Sequence, residues 1–261
     1  MSAPATPGDI EQAGRIVVKV GSSSISGDRA EQLGPLVDAL AAAHGRGAQV
    51  VLVSSGAIAT GMPFLQLQQR PTDLAVQQAA AAVGQSLLIH RYQERLDRFG
   101  ITAGQVLLTA SDISDPTHRT NAERAIETLL ALRILPIVNE NDTVATHEIR
   151  FGDNDRLAAL VARLMHADLL VLLSDVDALY TRPPQEPGAV RIPFVAAGDP
   201  LTEVVAPESN TGVGTGGAAT KLAAARMAAD AGIAVLLTAT DRVEQALHGD
   251  RVGTWFEPAP R

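Results

Sequence analysis

Cysteine is absent from this 261-residue chain, which excludes disulfide bonds, thiolate nucleophiles and zinc–thiolate sites together. Aromatic residues make up only 3% of the sequence, so there are few rings on which nucleic-acid bases could stack. Basic residues are also scarce: 21 Lys and Arg stand against 29 Asp and Glu, a net charge of −8, and they form no basic stripe. A nucleic-acid-binding surface is therefore disfavoured.

Long apolar runs are missing as well. No run is long enough to cross a membrane, and the opening MSAPATPGDIEQAG lacks the apolar core of a secretory signal peptide. With 46% hydrophobic and 19% charged residues, the composition is that of an ordinary globular protein. We expect a soluble protein without a membrane partner, and the lack of cysteine fits a cytoplasmic location.

Short β-branched runs alternate with longer Ala- and Leu-rich segments along the chain. The predicted strands span residues 15–20, 49–54, 104–109, 134–139, 167–174, 233–238 and 252–256. The predicted helices span residues 30–44, 72–99, 119–132, 155–166, 221–231 and 241–248. This alternation predicts an α/β fold, an open αβα sandwich with a mostly parallel central sheet. The Pro/Gly-rich passage 181–217 is expected to hold loops and a short strand.

Four of the predicted strands are followed at once by polar or small residues. These four polar loops are Gly21–Ser24, Ser54–Ala57, Asn139–Asp142 and Ser174-Asp175. Each loop alone could be simple turn chemistry, which favours Asn, Asp, Gly and Ser. Open parallel sheets, however, bind ligands at the carboxyl ends of their strands. Four such loops on one edge therefore indicate a ligand site.

Two lysines stand out from their surroundings. Lys19 interrupts an otherwise apolar strand, and burying it costs desolvation free energy unless it meets an anion; the alternative is an edge strand whose lysine faces solvent. Lys221 follows a loop, residues 212–217, that formally matches G-x-G-x-x-G. No suitable strand precedes that loop, and residues 218–220 separate it from the lysine, so neither a dinucleotide nor a P-loop motif fits. Free amide groups at the following helix start still favour an anion.

The remaining polar groups suit phosphoryl transfer, whose catalysis is mostly positioning and charge stabilisation. The histidines show no metal-ligand spacing, and Ser55 lacks the preceding glycine of a hydrolase nucleophile. An acceptor carboxylate would be ionised at neutral pH and would need no general base. Cations would be needed instead, and Lys19, Lys221 and a magnesium ion could supply them.

The segments VVKVGSSS, VSSGAIATG, PIVNENDTVA, FGDND, LLSD and GTGGAATK occur in this order over nearly the whole chain. In them the chain resembles the amino acid kinase family, and within it the branch that acts on glutamate. The resemblance implies ATP-dependent phosphorylation of the side-chain carboxylate of L-glutamate, with Mg²⁺. The product would be L-glutamyl 5-phosphate, and the reaction the first step of proline biosynthesis.

The resemblance also implies roles for individual residues. Lys19 and Lys221 would stabilise the transferring phosphoryl group, and Asp155 would orient the two lysines. The residues implied for glutamate binding are Ser55, Gly56, Asp142 and Asn154. The residues implied for ATP binding are Lys19, Gly21, Ser22, Ser174, Asp175, Thr215, Gly216, Gly217, Ala218, Ala219, Thr220 and Lys221.

Further expectations come from the same resemblance. The chain would be a single amino acid kinase domain over 1–261, with a substrate-binding lobe to about residue 166, a nucleotide-binding lobe from about residue 167, and no PUA domain. Proline would inhibit it by feedback, it would form a homo-oligomer, and it could hand its product to glutamyl phosphate reductase.

Two departures from the family pattern are visible, and two alternative functions stay open. Ala178 stands where the family usually has glycine. Segment 111–121 also departs from the pattern, since its part Asp115–Asn121 lacks the aromatic and arginine side chains at the positions where the family usually carries them before Asn-Ala. We expect this segment to serve assembly or regulation. The alternatives are another phosphotransferase of the family, or an amino-acid-sensing module that keeps the fold without catalysis.

Overall fold

The computed structural model describes residues 3–25, 27–145, 154–202, 204 and 217–260. Its strands are β1 (Arg15–Lys19), β2 (Gln49–Val53), β3 (Ala103–Leu108), β4 (Leu135–Glu140), β5 (Leu169–Ser174), β6 (Leu179–Tyr180), β7 (Arg191–Ile192), β8 (Phe194–Val195), β9 (Ala234–Ala239) and β10 (Thr254–Phe256). Its α-helices are α1 (Leu33–Gly45), α2 (Ala57–Gly61), α3 (Leu74–Leu96), α4 (Ala110–Ser114), α5 (Pro116–Ala131), α6 (Asn154–Leu164), α7 (Ala218–Ala229) and α8 (Val243–Leu247).

Eight strands form one sheet in the order β3-β4-β2-β1-β5-β9-β10-β8, and β6 pairs with β7 separately. Neighbours in the large sheet run parallel except β9 and β10, which are antiparallel. Helices α1, α3 and α8 pack on one face, and α5, α6 and α7 on the other. The predicted open αβα sandwich with a mostly parallel sheet is confirmed.

The two faces of the sheet divide the side chains of β1 between two hydrophobic cores. Ile16 and Val18 belong to the core with α1 and α3, whereas Val17 belongs to the core with α6 and α7. Because side chains alternate along a strand, Lys19 lies on the same face as Val17, towards α6 and α7. β1 lies between β2 and β5, and Lys19 is only 4% exposed. The alternative of a solvent-facing lysine on an edge strand is wrong.

The four polar loops follow β1, β2, β4 and β5, which are consecutive in the order β4-β2-β1-β5. All four strands run in the same direction, so their carboxyl ends lie on one edge of the sheet. The predicted gathering of the loops on that edge is confirmed, and the ends of β1 and β2 lie at its middle.

Some helix boundaries differ from the sequence prediction by up to three residues, and capping explains one of these differences. Helix α5 begins at Pro116 rather than at residue 119, because the Asp115 side chain accepts hydrogen bonds from the amides of Thr117 and His118. Two five-residue helices, α2 and α4, were not predicted, since they are too short to show a helical period. In the part of the chain that is described, no helix is both long and apolar enough to span a membrane.

Helices α2 and α3 cross with almost no side chain between their backbones. A methyl group added at Gly84 would lie 1.8 Å from the Ala57 carbonyl oxygen, and one added at Gly61 would lie 1.9 Å from the Ala80 carbonyl oxygen. Only glycine permits this approach. Helix α2 directly follows the Ser54–Gly56 loop, so the crossing fixes the position of that loop against α3.

We predict that Gly84→Ala lowers the free energy of unfolding by about 3 kcal/mol, the upper end of overpacking costs. The added methyl group must push the backbones of α2 and α3 apart. Gly45→Ala is the matched control, since a methyl group there meets nothing within 4 Å. Chemical denaturation measures both variants, and a Gly84→Ala protein as stable as the control would contradict the close crossing.

Candidate active site

Lys19 and Lys221 meet at the carboxylate of Asp155. Lys19, the last residue of β1, forms an ion pair with Oδ1 of Asp155, and Lys221 Nζ lies 3.0 Å from Oδ2. The Asp155 side chain is 0% exposed, and the two lysine side chains are 5% and 13% exposed. One buried carboxylate thus holds two ammonium groups from opposite ends of the sequence.

The groups of this cluster stabilise each other in their charged forms. Burial alone would raise the pKa of Asp155, but the ammonium groups of Lys19 and Lys221 outweigh burial and hold that pKa below its ordinary value. Asp155 lies in the first turn of α6, where a helix favours an anion. Lys221 lies in the first turn of α7, where the helix disfavours a cation. The lysine is therefore kept there against the local helix field, which points to a functional role.

The lysine content of the sequence is a further signal for this cluster. Lys19 and Lys221 are the chain's only two lysines, and every other residue with a permanently basic side chain is arginine. A lysine ammonium is a compact point charge, whereas guanidinium is a broad planar group. Arginine serves elsewhere on the surface, so the two lysines mark positions that need the compact cation.

The loop after β2 meets the start of α6 beside this cluster. The amide nitrogen of Asn154 donates to Oγ of Ser55 at 2.8 Å and to the Ser54 carbonyl at 3.2 Å. Gly56 has a φ of +104°, and a methyl group there would lie 3.1 Å from the Ser22 side chain, so the β1 and β2 loops touch. Oδ1 of Asn154 is buried without a hydrogen-bond partner among the described residues. It is therefore available to a ligand N–H group.

Buried polar contacts, which sequence reasoning missed, support these loops from α3. The hydroxyl groups of Tyr92 and Ser54 are 2.9 Å apart, with Tyr92 fully buried. Gln85 donates to the Glu140 carbonyl at 3.3 Å and accepts from Asn139 at 3.4 Å. Nothing in the helical period of α3 distinguishes these side chains from ordinary core positions. Their role follows only from the packing of α3 against the loops.

A cavity of about 300 Å³ opens next to Lys221, on the β5 side of the edge. Ser174, Asp175, Gly217 and Ala218 line it together with Lys221, as does Gly21. Leu173, Val176, Leu179 and Leu237 form an apolar part of its wall. A cavity with both an apolar wall and a few polar groups is typical of a small-molecule site.

Asp175 links the first polar loop to the end of β5. Its carboxylate accepts hydrogen bonds from Ser23 at 3.0 Å and from Ser24 at 2.9 Å, and it forms an ion pair with Arg29. Ser23 and Ser24 also line the cavity, which the sequence interpretation did not anticipate. Arg29 gave no signal in the sequence, since a lone surface arginine is common.

Of the remaining predicted site residues, some lie near the cluster, one is exposed, and two lie outside the described residues. Ser22 touches Gly56, and Asp142 lies in the turn after β4, half-buried. Thr220 donates to the Gly217 carbonyl at 2.8 Å and approaches Asp155 at 3.4 Å, whereas Ala219 is exposed and does not line the cavity. Thr215 and Gly216 lie outside the described residues. The predicted roles of all these residues stay predictions.

Comparison with known proteins identifies the family of the chain. The model of the amino acid kinase family matches residues 14–239. Glutamate 5-kinase from Clavibacter michiganensis subsp. michiganensis is 74% identical over 249 residues, covering 95% of this chain and 96% of that protein. Glutamate 5-kinase from Leifsonia xyli subsp. xyli is 72% identical over 253 residues, covering 97% and 94%.

More distant proteins share either less sequence or the fold alone. Glutamate 5-kinase from Thermobifida fusca is 54% identical over 259 residues, covering 97% of this chain and 67% of that protein. Among solved structures, a carbamate kinase from Giardia lamblia bound to AMP-PNP has a TM-score of 0.68 at 15% identity, covering 95% of this chain and 100% of that one. At this identity the likeness shows the fold alone.

We predict that the Asp155 ion pairs stabilise the protein above about pH 4 and that this contribution is lost as pH falls through the depressed folded-state pKa. Asp155→Asn should lower the free energy of unfolding at pH 7 by about 3 kcal/mol, because two buried ammonium groups lose their counter-ion.

The difference between wild type and Asp155→Asn should shrink below pH 4, as the wild-type carboxylate takes up its proton. Urea denaturation from pH 7 to pH 3 measures it. Asp38→Asn is the control, since its carboxylate is 49% exposed and lies 3.6 Å from Arg98, so its effect should stay below about 1 kcal/mol. A difference that is independent of pH would contradict the charged state assigned to Asp155.

Proposed function

The chain belongs to the amino acid kinase family, in its glutamate 5-kinase branch, and we propose that it transfers the γ-phosphoryl group of ATP to the side-chain carboxylate of L-glutamate. The products are L-glutamyl 5-phosphate and ADP. The observation that carries the proposal is the cluster of Lys19 and Lys221 on Asp155, beside a cavity of about 300 Å³ with an apolar wall and a few polar groups. The reaction is the first step of proline biosynthesis.

The cluster provides the charge that this transfer requires. A glutamate side chain is ionised at neutral pH, so it attacks phosphorus without a general base. Its approach to an anionic triphosphate is opposed by charge repulsion, which fixed cations offset. Lys19 and Lys221 carry two positive charges against the single negative charge of Asp155. Asp155 holds both ammonium groups in position before the substrates arrive, which reduces reorganisation during the reaction.

The loops around Asn154 suit the amino acid substrate. Ser55 and Gly56 lie at the carboxyl end of β2, and Asn154 contacts Ser55 from α6. The unpartnered Oδ1 of Asn154 can accept a hydrogen bond from the ammonium group of glutamate. Asp142 adds a carboxylate after β4, and a carboxylate bonds well to an ammonium group. Glutamate then lies between these loops with its side chain directed towards Lys19.

The cavity beside Lys221 suits ATP. Its apolar wall accommodates the adenine ring, and the start of α7 with Lys221 offers positive charge to the phosphates. Magnesium enters such sites with the phosphates and supplies further charge neutralisation. Among the described residues no group of three or more acidic or histidine side chains could hold a metal alone. Asp175, the one carboxylate on the described cavity wall, is the residue that would bind the ion with the phosphates.

The two substrates divide the chain into a glutamate-binding lobe to about residue 166 and an ATP-binding lobe from about residue 167. β1 pairs with β2 and with β5, so the sheet continues across this division. Lys19 belongs to the first lobe and Lys221 to the second, and Asp155 joins them. Transfer therefore takes place where the lobes meet, at the carboxyl ends of β1 and β5.

Regulation and partners extend the proposal. Proline is the end product of the pathway and, like glutamate, carries an α-carboxylate next to an ammonium group, so it would compete at the Ser55–Asn154 loops. We also propose a homo-oligomer, a cytoplasmic location where ATP and glutamate are supplied, and transfer of the labile acyl phosphate to glutamyl phosphate reductase. The hydroxylamine assay below tests proline inhibition when it is run with added proline, and it tests transfer of the product when it is run with that reductase.

We predict that hydroxylamine traps an acyl phosphate when the protein is given Mg-ATP and L-glutamate. Aspartate and N-acetylglutamate should give little hydroxamate, because the loops are assigned to a free amino group and to the longer side chain. UMP, whose phosphorylation yields no acyl phosphate, is followed by ADP release. Product from another acceptor but not from glutamate would reassign the substrate, and product from none would favour a sensing module.

We predict that Lys221→Ala lowers kcat by about 10²–10³-fold, the usual cost of removing one group that stabilises developing charge. Glutamate binding, measured by calorimetry, should persist, since Lys221 lies on the ATP side. Arg226→Ala is the control in the same helix, where the side chain contacts backbone carbonyls at Asp199 and Pro200 instead. An unchanged kcat for Lys221→Ala would remove the lysine from the mechanism.

A further inference from the structure

We propose that Arg182 is a further nucleotide-binding residue, whose guanidinium contacts the phosphates of ATP at the mouth of the cavity beside Lys221. This inference rests on the proposed function, in that the cavity is taken to bind ATP. The sequence interpretation did not include Arg182 among the site residues. Its assignment comes from three features of the structure: its position, the lack of a partner for it among the described residues, and the charge of the cavity.

Arg182 lines the same cavity as Gly217 and Lys221. It follows β6, whose residues Leu179 and Tyr180 pair with β7. The amide of Thr181 donates to the Val190 carbonyl at 3.0 Å, so the backbone is anchored up to the residue before Arg182. Pro183 follows directly and restricts Arg182 to extended backbone conformations. The arginine therefore starts from a fixed point on the cavity wall.

Asp177 and Arg191, which flank this loop, are paired with each other, whereas Arg182 has no partner among the described residues. The exposed side chain of Glu186, within the loop, has no partner there either. Arg191 lies 3.4 Å from Asp177 and donates to the Gly253 carbonyl at 2.9 Å, and the Tyr180 hydroxyl donates to Asp177 at 2.9 Å. Arg182 forms no hydrogen bond and no ion pair with any residue in the described ranges. An arginine with fixed backbone and an unpaired guanidinium on a cavity wall is suited to an anionic ligand.

The charge of the cavity supports an anion as that ligand. Lys221 and Arg182 are the cations on its described wall, and Asp175 is its one carboxylate there. Asp175 already accepts hydrogen bonds from Ser23 and Ser24 and forms an ion pair with Arg29, so its charge is largely compensated. The free amides at the start of the twelve-residue helix α7 add to the positive character. A cavity of this sign on a chain of net charge −8 favours the triphosphate of the nucleotide.

Equilibrium binding tests the assignment without any acceptor, so it remains informative if glutamate is not the substrate. The ligands are Mg-AMP-PNP, tripolyphosphate and adenosine, measured by calorimetry on wild type, Arg182→Gln and Arg182→Lys. We expect Arg182→Gln to raise the Kd of Mg-AMP-PNP and of tripolyphosphate by about three- to tenfold at low salt, a loss of up to about one charge-assisted contact. Adenosine binding should not change.

Two further comparisons separate a phosphate contact from a general effect. Arg182→Lys keeps the charge and should stay within about twofold of wild type, and the effect of Arg182→Gln should shrink at high salt, since exposed charges are screened. Arg98→Gln is the matched control, because Arg98 is exposed at the opposite edge of the sheet, between α3 and β3. Both Arg182 variants should keep the wild-type thermal midpoint, since Arg182 has no partner to lose among the residues that the structure describes.

The proposal is overturned if Arg182→Gln binds Mg-AMP-PNP as tightly as wild type at low salt. It is also overturned if adenosine binding weakens while tripolyphosphate binding does not, since Arg182 would then contact the base or ribose. Failure of the proposed function looks different: wild type would give no glutamyl hydroxamate, yet the Arg182 variants would still differ in tripolyphosphate binding.

Discussion

The site depends on one buried carboxylate that holds two ammonium groups. Asp155 binds Lys19 through one oxygen and Lys221 through the other, and it is fully shielded from water. Burying three charged groups is costly unless each is paired. The arrangement leaves one net positive charge, which in the proposed reaction lies where the two anionic substrates meet. It also ties β1, α6 and α7 together at the carboxyl edge of the sheet.

The rest of the fold serves to bring these three side chains to one place. Lys19 reaches α6 because it follows Val17 on the same face of β1, and a shift by one residue would point it into the opposite core. The small side chains of α6 and α7, among them Ala158, Ala162, Ala225 and Ala228, allow the two helices to pack closely. Asp155 and Lys221 then face each other from the first turns of neighbouring helices.

Much of the fold and of the site could be predicted from the sequence, because the signals lie in short segments of the chain. Lys19 within an apolar strand, and polar loops after four strands, are signals that follow from desolvation and from parallel topology. The order of the motifs indicated the family, and the family model and the close relatives confirm it. The α/β class followed from the alternation of short β-branched runs with longer Ala- and Leu-rich segments. These inferences need only neighbours in sequence, or the general geometry of a parallel sheet.

What could not be predicted depends on contacts between distant segments. The hydroxyl contact of Tyr92 with Ser54 joins α3 to the β2 loop, and in the sequence Tyr92 looks like any core aromatic. The glycine crossing of α2 and α3 involves Gly61 and Gly84, and α2 is too short to show a period. Arg29 and Arg182 are single arginines outside the α-helices and strands. Only the structure reveals that Arg29 is paired with Asp175 and that Arg182 has no partner among the described residues.

Lysine and arginine occupy different places in the proposed site, and their chemistry gives a physical reason. In the proposed reaction, the two lysines lie where a compact charge approaches the reacting phosphoryl group, and one carboxylate fixes both. Arginine, with its planar fork, is suited to binding phosphate oxygens that do not change partners during the reaction. Lysine at the reacting centre and arginine at the cavity mouth would thus separate stabilisation of the transition state from binding of the ground state. Only the first contribution raises kcat, because uniform binding of nucleotide does not lower the barrier of the bound complex.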